Sequence, residues 1–357
     1  MTAARRLVDW SLAERTAGAI AGESAGSYGR EPIAAACEEA IEAAGAYAGL
    51  PAPPRPPVAQ LVDRRSWSHY ALETLAFASE PLERRLADEI SFPGPLGGVA
   101  RALVGGGAGI EAGVAVGYAA RKVLGQYDVA LFGPRRPGRL LFIGENMEAA
   151  RLQLDADPAL FLRWIALHET THVLQVEGVP WLVGHLRSLA HELIDGAAEG
   201  IDLDSVRDLL RRAVRNPREV VAGVLRGELL QSLASPQRRA LFNRLQAAMS
   251  VIEGHAEHVM DACAAELDPR LGELRERLEA RRTRAGGLAD VVARLLGLDL
   301  KLRQYRLGKA FCDAVADAAG AEGLAALWRS PEGLPDLAEL ERPDAWLGRV
   351  GLSVAAR

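Results

Sequence analysis

His168-Glu169-Thr170-Thr171-His172 is the feature that most narrows what this chain can become. Two imidazoles with three residues between them reach one point on a helix, where positions four apart lie on the same face. The flanking sequence predicts that helix. Asp157-Pro158 pairs an N-cap acid with a proline at the first helical position. Gly178-Val179-Pro180 stops it, with helix expected to about Gln175. In between, Phe161, Leu162, Trp164, Ile165 and Leu167 make it apolar, so it should be buried. Two buried histidines one turn apart need polar partners, and a metal ion supplies one. Glu169, beside the first histidine, can reach a water on such an ion. The H-E-x-x-H pattern thus nominates His168 and His172 as ligands of a zinc ion, about one per chain, with Glu169 as general base.

The rest of the chain reads as mainly α. Ala and Leu are abundant and aromatics make up only 5% of the 357 residues, a balance that favours helix. Residues 1–48 are expected to be helices broken near Gly26–Gly29, forming an N-terminal helical hairpin over 1–50. Pro51–Pro57 is a stiff connector. Residues 58–357 would form the catalytic body, the whole chain being one domain. Further helices are predicted over Ser66–Leu86, Pro95–Leu124, Trp181–Asp195, from Ser235-Pro236 to about Glu266, and over Leu288–Ala319. The β content expected is one small hairpin, Tyr127–Phe132 with Arg139–Ile143, joined by the turn-forming run Gly133–Gly138.

A third metal ligand must come from outside the motif. Glu177 follows closely, near the helix end; His185 and His191 lie on the next helix. Glu253-Gly254-His255-Ala256-Glu257-His258 places acids and histidines among Met249, Val251, Ile252, Val259 and Met260, and a metal gives ionisable groups of that density a reason to be there. Gly254 also removes a side chain beside Glu253, so another helix could approach closely. Glu257 could hydrogen-bond the outer nitrogen of a ligand histidine. His258 or His255 could line the cleft and stabilise an oxyanion. Tyr305, within the basic run Lys301–Arg306, could polarise a substrate carbonyl.

These residues carry two resemblances. Glu253-Gly254-His255-Ala256 looks like the Glu-Gly-x-Ala run that supplies the third ligand in gluzincin aminopeptidases, although 80 residues separate it from His172, more than is usual there. His168–His172, Gly178-Val179-Pro180-Trp181-Leu182, Glu253–Glu257, Lys301-Leu302-Arg303-Gln304-Tyr305 and Trp346 together resemble the bacterial type 2 zincin-like metallopeptidase family. One branch of that family carries an association with deazaflavin coenzyme biosynthesis. The resemblance implies a mainly helical zincin-like fold, Glu253 as third ligand, and hydrolase activity without an established substrate.

The function expected is zinc-dependent hydrolysis of an amide or peptide bond; the alternative is a non-catalytic zinc-binding scaffold or partner-binding protein. A net charge of −5 with interleaved acids and bases, and the absence of any nucleic-acid motif, argue against a nucleic-acid partner. Three dispersed cysteines form no disulfide framework, and residues 1–22 lack the apolar core of a signal peptide, so a cytoplasmic protein is expected. Val99–Ala120 is apolar, but Glu111 and glycines every fourth residue from Gly105 to Gly117 predict a closely packed helix rather than a stable membrane insertion.

Overall fold

The computed structural model describes residues 6–23, 28–89, 97–199, 236–284 and 298–352. Its helices in chain order are α1 (Trp10–Ala21), α2 (Arg30–Ala48), α3 (Arg64–Glu89), α4 (Gly97–Ala120), α5 (Gly144–Leu154), α6 (Pro158–Gly178), α7 (Leu182–Glu199), α8 (Pro236–Leu267), α9 (Arg270–Arg284), α10 (Leu298–Ala326), α11 (Leu337–Leu340) and α12 (Pro343–Arg349). The strands are β1 (Ala59–Val62), β2 (Gly125–Asp128) and β3 (Arg139–Ile143). Mainly α is therefore the right class. The predicted break at Gly26, the helix start at Pro95, the cap at Ser235 and residues 288–297 lie outside the described residues.

The sheet contains the expected hairpin and one strand more. β2 and β3 pair antiparallel, Asp128 opposite Arg139, but β1 adds a parallel strand on the other side of β3, Ala59 opposite Leu140. Four residues after a proline run are too few to show a strand period, and their partner lies far along the chain. β3 is the centre of the sheet and is buried on both faces. Leu140 and Phe142 enter the main core, built largely by α2, α5, α6, α8 and α10. Leu141 and Ile143 enter a smaller one with Ala21, Trp67 and Ala120. Side chains alternate across a strand, so one short strand serves two helical layers.

α1 lies on α3 and α4, whereas α2 lies on α6 and α8. The glycine repeat of α4 explains the first contact. Any Cβ on Gly105, Gly109, Gly113 or Gly117 would press into the backbone of residues 7–17, and the Asp9 amide donates to the Gly105 carbonyl at 3.0 Å. Among the described residues, no helix is long and apolar enough to cross a membrane.

Candidate metal centre

Three elements bring the centre together. α6 starts as the sequence predicts, with Asp157 Oδ1 accepting from the Leu160 amide at 2.9 Å and Pro158 in the first turn. One turn apart on it, His168 and His172 turn their rings nearly perpendicular, with Nε2 atoms 3.3 Å from each other. α8 packs alongside and delivers Glu253, whose Oε2 lies 3.6 Å from each Nε2. α10 backs α8 at a crossing that only glycine permits: a Cβ on Gly254 would overlap the Gly308 carbonyl, and one on Gly308 would overlap the Ser250 carbonyl. The close approach expected at Gly254 is thus present, with α10 as the approaching helix.

The electrostatics suit a cation. Burial alone would raise the Glu253 carboxyl, but the two imidazoles hold it well below its ordinary value. Burial alone would lower His172, but Glu253 and then Glu169 push it up to about 9. The His172 outer nitrogen, Nδ1, meets Gln175 Oε1 at 2.9 Å, which leaves Nε2 for the cluster. One ligand atom from each of His168, His172 and Glu253 lies within 4.8 Å of the other two. Two imidazoles and a carboxylate are a donor set of catalytic zinc, which keeps a further position open. The residues fit a metal ion.

Glu169 is 6% exposed and lies against β2. The Tyr127 amide donates to its carboxylate, and Gly125 leaves room for it. Burial raises its carboxyl, while His168 and His172 oppose the rise. His255 is fully buried, its ring edge-on to Trp328, and burial holds it down to about 3, with His258 and His172 adding to the effect.

The other candidates have different surroundings. Glu177 Oε1 accepts from the Tyr127 hydroxyl at 2.5 Å. His185 stands edge-on to Trp181, and His191 lies against Phe132. His258 joins a separate polar network: Nδ1 is 2.7 Å from Asp313 Oδ1 and Nε2 is 2.9 Å from the Tyr47 hydroxyl. Tyr305 sits on α10 one turn before Gly308, but its side chain lies outside the described residues. Sequence reading missed Gln175 and Gly125. Gln175, three residues after His172, was discoverable from helical spacing; Gly125 carried no signal.

The sequence profile of the zincin-like metallopeptidases matches residues 8–347. The chain belongs to the zincin-like metallopeptidase family. The family resemblance drawn from the motifs is borne out, and membership implies a metal, typically zinc. A crystal structure of a presumed hydrolase with a novel fold from Chloroflexus aurantiacus is also similar, with 27% identity and a TM-score of 0.68, over 96% of this chain and 99% of that one. No curated protein matches the sequence. Outside α6 and α8, the tryptophans that carry the resemblance tie the family fold together. Trp181 Nε1 donates to the Trp328 carbonyl at 3.0 Å, and Trp346, fully buried against Phe311, donates to the Gly333 carbonyl at 2.8 Å.

Proposed function

We propose that this zincin-like protein is a zinc-dependent hydrolase acting on an amide or peptide bond, with one zinc ion held by His168, His172 and Glu253. The observation that carries the reading is the convergence of those three side chains beside Glu169, on helices set by α6 and α8. Zinc in such a site supplies Lewis acidity, polarising a carbonyl and making water acidic enough to lose a proton near neutral pH. The protein's own part is proton handling. Glu169 takes a proton from the attacking water as its oxygen bonds to the carbonyl carbon, and gives it to the nitrogen as the C–N bond breaks. Its carboxyl is raised by burial, which suits a group that must both accept and return a proton. His258, with both nitrogens engaged by Asp313 and Tyr47, is assigned no step, and neither is Tyr305.

One observation favours the second reading, a zinc-binding scaffold. Glu169 is buried against β2, with the Tyr127 amide on its carboxylate. A mixed-peptide screen separates the two. Cleavage that a chelator abolishes and zinc restores supports the hydrolase; zinc-loaded protein that cleaves nothing supports the scaffold.

A further inference from the structure

Gln175 is a fully buried amide on an apolar stretch of α6, one turn beyond His172. Its Oε1 lies 2.9 Å from His172 Nδ1. Its Nε2 lies 2.9 Å from the Ile252 carbonyl oxygen and 3.0 Å from His255 Nδ1. Which way round such an amide sits is decided by its network. The Ile252 carbonyl can only accept, so the atom facing it is the amide nitrogen. Oε1 therefore faces His172 Nδ1, which must carry a proton. His172 Nε2 is then the nitrogen turned toward His168 and Glu253, the one a metal would take.

The remaining amide hydrogen of Gln175 points at His255 Nδ1, which accepts it. The proton of the neutral His255 ring consequently sits on Nε2. There the Trp328 indole nitrogen is 3.4 Å away, with ring centroids 5.0 Å apart and planes at 84°. The Trp328 indole N–H is aimed at that same nitrogen, so two donors meet a ring that, when neutral, accepts at one nitrogen only, and the shorter Gln175 contact takes the acceptor.

We infer that Gln175 is a positioning residue that holds His172 in the tautomer a metal requires, and that His255 keeps the Gln175 amide the right way round. A neutral imidazole divides its proton between two nitrogens, and only the form protonated on Nδ1 offers Nε2 to a cation. The chain from His172 through Gln175 to His255 fixes that choice from outside the ligand set. It joins α6 to α8, the two helices that supply the ligands. The inference rests on the proposed zinc role of His168, His172 and Glu253.

Two measurements test it. The first is nitrogen-15 NMR of the His255 ring in wild-type protein, with and without zinc. The expected result is a protonated Nε2 and an unprotonated Nδ1 in both. A proton on Nδ1 would turn the Gln175 amide round and overturn the inference. The second titrates zinc against a competing chelator in wild type, Gln175→Met and Gln175→Glu. Gln175→Met should bind zinc roughly 10–100-fold more weakly, the usual worth of an outer partner to a ligand histidine. Gln175→Glu keeps an acceptor for His172 Nδ1 and should recover most of that loss. Wild-type affinity in Gln175→Met, or no recovery in a folded Gln175→Glu, counts against the inference. Wild-type protein that takes up no zinc defeats the proposed function instead, and the His255 proton still decides the tautomer chain. The NMR measurement also stands if Gln175→Met does not fold.

Discussion

Gly125 and Glu169 share a space that admits no further atom: a Cβ on Gly125 would lie 2.7 Å from Glu169 Cγ and 2.9 Å from Oε1. β2 thus holds the proposed base from one side while α6 holds it from the other. Gly125→Ala should cost about 1–3 kcal/mol of stability, the usual penalty of overpacking. It should also lower turnover by moving the carboxylate, while zinc content stays at the wild-type level. Denaturant unfolding, metal analysis and rate on one preparation check all three; unchanged stability and rate would show that Glu169 does not need this fit.

Glu169→Gln divides the two functional readings. Glutamine has nearly the same shape and sits outside the proposed ligand set, so zinc should be retained. Turnover should drop roughly 10²–10⁴-fold if Glu169 moves the proton. Activity at the full wild-type rate would rule out that role.

The site was legible where chemistry is local. His168, Glu169 and His172 declare themselves by spacing within one helix, and Asp157-Pro158 announces where that helix starts. Glu253 was legible through the density of ionisable groups around it and through resemblance, and α8 does bring it to the histidines. What could not be read was contact between distant segments. Pairing of β1 with β3 and the seating of Gly125 on Glu169 depend on chain crossings that leave no local pattern. The same limit explains the N-terminus. The periodicity of α1 and α2 shows two helices, but not that α1 will choose the glycine edge of α4 over its neighbour in sequence.

The crossing of α8 and α10 should be intolerant of any side chain. Gly308→Ala places a methyl group in the Ser250 carbonyl and must push the helices apart. A loss of about 1–3 kcal/mol or more is expected. Zinc affinity should weaken as well, because Glu253 adjoins the crossing. A Gly308→Ala protein with wild-type melting and wild-type zinc affinity would mean that the helices separate freely without disturbing the site.

His255 should make the metal-free protein sensitive to acid. Its folded value is depressed from 6.5 to about 3, so the unfolded chain binds a proton that the folded one refuses. Its contribution to stability is therefore complete above pH 6.5 and declines as pH falls toward about 3. Urea unfolding across that range should show stability falling with pH, and His255→Phe should flatten the slope. An identical slope in the variant would mean that His255 takes up its proton while folded.

The central claim is that His168, His172 and Glu253 hold zinc, and metal analysis of untagged protein tests it most directly. Wild type should carry about one zinc per chain, as a three-ligand catalytic site does. His168→Ala, His172→Ala and Glu253→Ala should each lose it while remaining folded. Wild-type protein that is purified without metal and takes up none on zinc addition would contradict the account, as would zinc retained at full occupancy in all three variants.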